Sequence, residues 1–416
     1  MLRESVETKP KTESILEIIR ELESATGVKR TLLAVCPNSM SVIKASLRAA
    51  KRNNAPIKYA ATLNQIDGDG GYTGLTQKQF TKMLEIEASR INYKGQYIVA
   101  IDHGGPWLKD IQAKEKWDID KAMNGVKKSF EDAVLAGYDL LHVDPTVDIH
   151  IEKDSVIDIR VVASRTVELI AHVEKFRKQN NLPAISYEVG TEEVEGGLAD
   201  EKTFDLFLEL LRDGLKNAGL QKVWPCFIVG KVGTDLHTIV FDKEVARKLT
   251  AKAAKYGSFI KGHYTDAVEN PYDYPLCGIG AANVGPEFTI SEYKALMELE
   301  ELERIYHTEG KVAALSNIQA ELKQAVIDSN RWQKWLKAGE KGKQLHELAP
   351  ERQEWIIQTC CRYIYQNPEI IAARLRLYEN LGNLGIDAEE IVLSTIERDM
   401  DKYFNAFNLV NLNNYL

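Results

Sequence analysis

Between residue 31 and about residue 285 the chain repeats one pattern eight times: a short apolar run, then a longer stretch with apolar residues at helical spacing. The runs are "TLLAV" (31–35), "IKYAAT" (57–62), "YIVAID" (97–102), "LLHVD" (140–144), "AISYEVG" (184–190), "PCFIVG" (225–230), "SFIKGHY" (258–264) and "GIGAANVG" (278–285). Segments such as "MSVIKASLRAAKRN" and "VASRTVELIAHVEKFRKQN" separate them. Runs of this length bounded by turn residues read as strands, and strands alternating with helices build βα units and a parallel sheet. Eight such units over this span predict a (β/α)₈ barrel, the TIM-barrel form of the α/β class. A doubly wound open sheet competes, but no G-x-G-x-x-G follows the first strand.

After about residue 287 the strands cease and amphipathic helices such as "SEYKALMELEELERIYH" and "AEEIVLSTIERDMDKYF" take over. The expected division is a barrel over 1–287 that carries the site and a C-terminal helical extension over 288–416. The extension reads as a cap or a subunit contact, including self-association into a homo-oligomer, with no chemistry assigned to it. A net charge of −8 without a basic cluster interleaved with aromatics argues against nucleic acid. No apolar run is long enough to span a bilayer, and the start, "MLRESVETKPKTES", has no apolar core. Cys36, Cys226, Cys277, Cys360 and Cys361 are scattered without metal or disulfide spacing, so a reducing cytoplasm is the expected compartment.

A (β/α)₈ barrel places its site at the C-terminal ends of the strands. Polar residues gather there: Asn64 after the second run, Asp102-His103 at the third, His142 and Asp144 at the fourth, and Glu188 at the fifth. His237 follows the sixth, Lys261 and His263 lie in the seventh, and Asn283 in the eighth. Chance would not put four of eight histidines at one rim. His103, His237 and His263 come from different strands, and three imidazoles around an open position suit a catalytic divalent cation, zinc first. Asp102 and Glu188 are then the acid/base or ligand-orienting carboxylates. Lys261 raises a rival reading, a Schiff base with a ketose. The glycine-rich "IDGDGGYTG" lacks the lysine of a phosphate loop.

Several segments, "NQIDGDGGYTGLT", "DHGGPW", "AGYDLLHVDPT", "ISYEVGTEEVEGG" and "GHYTDA", resemble in order the non-catalytic subunit family of class II D-tagatose-1,6-bisphosphate aldolase. The wider family includes 4-epimerases of free ketohexoses such as tagatose and fructose. More distantly the pattern is similar to the zinc-dependent class II fructose-bisphosphate aldolases. That resemblance implies Asp102 as proton carrier, His103, His237 and His263 as metal ligands, and Glu188 as a site residue. It also implies substrate contacts from Asn283 and from Asp144, with Asn64 and Lys261 at the same rim. One departure stands out. Where those aldolases hold phosphate, this chain reads "HYTDAVENPYDYP" and "NVGPEF", which bring Asp266, Glu269, Asp273 and Glu287. Like charges disfavour a phosphate there.

The expected function is metal-dependent aldol chemistry on a ketose, chiefly C4 epimerisation of a ketohexose. The alternatives are the aldolase itself, or a subunit that stabilises a separate catalytic aldolase.

Overall fold

The computed structural model of the chain describes residues 9–152, 155–190, 201–234 and 240–416. Its strands are β1 (Leu32–Val35), β2 (Ile57–Thr62), β3 (Tyr97–Gly104), β4 (Leu140–Val143), β5 (Ser186–Gly190), β6 (Phe227–Val229), β7 (Phe259–Gly262) and β8 (Ile279–Val284). They pair in parallel and in sequence order, and β8 returns to β1 through Leu32↔Ala281 and Val35↔Val284. Every expected run contains one of these strands. The reason is burial: helices cover the outside and side chains fill the inside, so each strand reads as a nearly continuous apolar run.

The helices start where the sequence supplies a cap. Ser39 accepts from the Val42 N–H, Asp118 from Lys121, Asp158 from Arg160, and Asp242 from Glu244 and Val245. Thr76 and Gln79 form a reciprocal capping box. Such side chains satisfy backbone donors that the first helical turn leaves free, each contributing about 1 kcal/mol.

Two additions complete the barrel. A helix at Lys11–Thr26 closes the N-terminal end of the strands. Lys11 reaches Asp139, just ahead of β4, at 3.3 Å, and Glu13 accepts from the Ser186 hydroxyl at the start of β5. Beyond β8, helices at Pro286–Thr308, Ile318–Ser329, Pro350–Cys360, Pro368–Gly382 and Ala388–Ala406 form the extension. The last of these lies on the barrel helix Met40–Arg52, where Arg48 and Arg52 both grip the buried Glu397. Asn411 and Asn413 then donate from their backbone to the carbonyls of Asn53 and Asn54. One hydrophobic core runs from Ile15 to Leu412 through barrel and extension alike. Among the described residues no helix is long and apolar enough to cross a membrane.

The barrel interior is unusual. Such interiors are normally filled by bulky branched side chains. Here Lys58 of β2 bonds Glu188 of β5 at 3.0 Å, and Lys261 of β7 bonds both Glu188, at 2.5 Å, and Asp102 of β3, at 2.7 Å. None of these bonds joins two neighbouring strands, so the side chains meet across the inside of the barrel.

Candidate active site

The site begins at the end of β3. In a regular strand consecutive side chains point to opposite faces, yet Asp102 and His103 both line one cavity. The β3–β4 register shifts between Ile101 and Gly104, and His103 takes φ of 51°. That backbone region is uncommon for a residue with a Cβ, though histidine tolerates it better than most. Two bonds hold it: the His103 N–H donates to His142 Nδ1 at 3.1 Å, and the His103 ring contacts Asp144 Oδ2 through Nδ1 at 2.6 Å. An ionised carboxylate only accepts, so Nδ1 of His103 carries a proton and Nε2 is the nitrogen left for another partner. Burial works against the charged ring, but Asp102 and Asp144 prevail and raise its pKa. The next two residues must be small. A Cβ on Gly104 would sit 2.3 Å from the Phe130 ring, and one on Gly105 1.7 Å from the Asp144 carbonyl.

Three imidazoles then converge from β3, β4 and the end of β7. Ring centres of His103 and His263 are 4.6 Å apart, those of His103 and His142 5.1 Å, and those of His142 and His263 5.7 Å. Asp102 lies among them, with Oδ1 3.3 Å from His142 Nδ1 and 3.6 Å from His263 Nε2. Lys261 bonds Oδ1 of Asp102, and the Asn283 amide donates to Oδ2 at 2.9 Å.

Burial alone would raise the Asp102 pKa, but Lys261 and the imidazoles overcome it, and the carboxyl is held well below its usual range. Glu188 is likewise lowered, burial again being outweighed by Lys261 and Lys58. Burial, Lys261 and His103 push the His263 imidazole down to about 3, so it is neutral at physiological pH. Burial works against the Lys261 ammonium, but Asp102 and Glu188 prevail and raise it.

Nε2 of His142 and of His263 are buried without a hydrogen-bond partner, where nearly all buried polar atoms have one. Grouped imidazoles and carboxylates with unused nitrogens are the donor set of a borderline divalent cation such as zinc. The residues present therefore fit a metal.

The cavity, about 420 Å³, opens at the C-terminal ends of the strands. Asn64, Asp102, His103, His263 and Asn283 all line it. Asn64 spends its amide on the loops, donating to the Leu108 carbonyl and accepting from the Asp110 N–H. Asp144 stands behind His103, and Glu188 and Lys261 are fully buried beneath the floor. His237 lies outside the described residues. Cys36 faces the cavity, but burial first, then Asp102 and Asp266, push its thiol far up, so it stays protonated.

Three parts of the site were not assigned from sequence. His142 joins the imidazole cluster, a place its position at a strand end already suggested. Lys58 completes the interior ion-pair network, and a lone lysine in an apolar run gives no sign of this. Arg331, Lys334, Trp335, Arg362 and Tyr363 of the extension form a wall of the cavity. Of the acidic residues set against phosphate, only Asp266 lines the cavity. Glu287 turns to the Ala267 N–H and the Tyr403 hydroxyl, Asp273 pairs with Lys243 at 3.0 Å, and Glu269 points elsewhere.

Closed parallel barrel, rim cavity and imidazole–carboxylate cluster together define a (β/α)₈ protein with the makings of a metal-assisted site. The chain belongs to the GatZ/KbaZ-like family, described as D-tagatose-1,6-bisphosphate aldolase subunit GatZ/KbaZ-like, whose model matches residues 16–408. Among solved structures it is similar to a probable tagatose 6 phosphate kinase from Sinorhizobium meliloti 1021, at 22% identity and a TM-score of 0.74, over 91% of this chain and 100% of that one. It is also similar to fructose-bisphosphate aldolase from Campylobacter jejuni, at 13% identity and a TM-score of 0.53, over 95% and 94% of the two chains. At these identities the likeness is one of fold.

Proposed function

We propose that this chain is an enzyme that carries out aldol chemistry on a ketose, inverting C4 by breaking and re-forming the C3–C4 bond. The observation that carries this reading is the meeting of three imidazoles, two with unpartnered buried nitrogens, around Asp102 at the mouth of a cavity of sugar size. His103 and His263 would hold a divalent cation, with His237 as the third ligand expected from the sequence and zinc as first choice. Nδ1 of His142 accepts from the His103 N–H, which leaves the proton on its Nε2, so this ring lies beside the ligands and not among them. When bound, such a cation supplies Lewis-acid polarisation of the ketose carbonyl and acidifies the hydroxyls beside it.

The chain's own residues do the rest. Asp102 is ionised at every physiological pH and so is free to accept the C4 hydroxyl proton. Its low pKa makes it a weak acceptor, and Asn283 keeps it aimed. As that proton leaves, the C3–C4 bond breaks, giving a C4 aldehyde and an enediolate. Attack on the opposite face of the aldehyde, with return of the proton from Asp102, inverts C4; departure of the aldehyde is aldolase chemistry. Imine formation at Lys261 needs a neutral amine, and two carboxylates hold this one as an ammonium.

The family description supports a second reading, a partner subunit of a separate aldolase. The deciding experiment incubates the purified chain alone, loaded with zinc, with fructose or tagatose and with their phosphates. Interconversion is expected. Metal content should fall in His103→Ala and His263→Ala. Asp102→Asn should keep its metal while turnover drops about 10²–10⁴-fold. A chain inert on every ketose that still raises the yield of a co-expressed aldolase would establish the subunit reading instead.

A further inference from the structure

Arg362 sits in the turn Cys361–Tyr363, between two helices of the extension, and its side chain lines the cavity. It is only 7% exposed. Its guanidinium lies 5.0 Å from the Trp335 ring centre and 4.9 Å from that of Tyr363, and it donates to the Tyr363 hydroxyl at 3.1 Å. Among the described residues no carboxylate lies within ion-pair distance of it. Burying an arginine without a counter-charge is strongly unfavourable. A fold that keeps one there, flanked by aromatic rings that fix its plane, has a fork of donors set for an anion.

The surroundings specify the anion. Arg331 and Lys334 stand on the same wall and share a single carboxylate, Asp110. Asp266, across the cavity, already spends Oδ1 on the backbone N–H groups of Gly285 and Glu287, at 2.9 and 2.8 Å. Burial, the largest influence, pushes its carboxyl up to about 7, so it offsets only part of the positive charge. The wall therefore carries a positive surplus above one unit, closer to a phosphate monoester, at about −1.5 to −2, than to a carboxylate.

We infer that Arg362, supported by Arg331 and Lys334, is the specificity-determining residue for a phosphorylated ketose, binding the phosphate while the imidazole cluster holds the carbonyl end. This rests on the reading of the cavity as a ketose site and narrows its substrate class. It also replaces the expectation, drawn from the acidic loops, of an uncharged sugar end.

The test uses the full chain and two variants. Arg362→Met keeps the aliphatic packing and removes the charge, and Arg362→Lys keeps the charge and removes the fork. Thermal unfolding without ligand establishes that each is folded, and Arg362→Lys serves if Arg362→Met is not. Inorganic phosphate is titrated calorimetrically into each protein, a readout that needs neither metal nor turnover. The wild type should bind, and the variant should bind at least about tenfold more weakly. The ratio of kcat/KM for fructose 6-phosphate to that for fructose should fall by a similar factor. Phosphate bound equally by wild type and variant, or not at all by the wild type, would overturn the assignment. A chain inert on all ketoses whose phosphate binding still depends on Arg362 would keep the anion site and discard the epimerase reading. An active chain whose substrate ratio ignores Arg362 would do the reverse.

Discussion

Asp266 is a cavity residue whose charge is set within the working pH range. Its carboxyl caps the helix Pro286–Thr308 through two backbone bonds, which favour the ionised form. Burial opposes them and prevails, raising the pKa from 3.8 to about 7. The sign for stability follows from proton counting. Between pH 4 and 7 the folded chain holds a proton that the unfolded chain has released, so this group's contribution falls as pH rises and is level above about 7. A rise from 3.8 to about 7 corresponds to a ceiling of about 4 kcal/mol. Asp266→Asn keeps an acceptor for the helix but cannot ionise. Denaturant midpoints across this pH range should show the variant gaining on the wild type, with the gap widening upward. A constant gap would mean that Asp266 titrates near its ordinary value.

At the scale of elements, the end of β3 controls the site. His103 is turned into the cavity by a left-handed backbone step and locked by Asp144 and His142, and Gly104-Gly105 lets the chain pass Phe130 and the Asp144 carbonyl. Gly105→Ala must displace that carbonyl, and with it the carboxylate that orients His103. The variant should unfold at least about 2 kcal/mol more easily and should bind zinc about 10–100-fold more weakly, as changes to groups that orient a ligand do. Calorimetric unfolding and zinc titration measure the two effects. Wild-type zinc affinity would show that Asp144 does not orient the ligand. The strands themselves were legible, because burial on both faces leaves little but apolar residues. The kink was not: "YIVAIDHGG" reads as a strand that stops, and only the paired strand reveals the register shift. The arginine wall was hidden for a related reason. Charged residues in helical segments usually face solvent, and nothing local in "SNRWQKWLKAG" or "CCRYIYQ" distinguishes a basic surface from a cavity wall.

For the whole molecule, the extension is held to the barrel by charge as well as by apolar packing. Glu397, 2% exposed, receives both Arg48 and Arg52. Removing one partner of a buried ion pair commonly costs about 3–5 kcal/mol; both arginines here are partly exposed, so a loss of about 2 kcal/mol is expected for Glu397→Gln. Urea unfolding should report it as a lower midpoint. No shift would place the attachment in the apolar contacts alone. The cavity wall supplied by residues 331–363 has a further consequence for how the protein is made. All eight strands leave the ribosome before Arg331 or Arg362 is synthesised, and the backbone bonds from Asn411 and Asn413 to Asn53 and Asn54 close last. Such distant pairings form slowly, since a long loop must be closed before they return any energy. A nascent chain therefore passes through a stage in which the barrel can assemble with an open mouth and an uncovered apolar flank, the stage at which a chaperone would have most to bind.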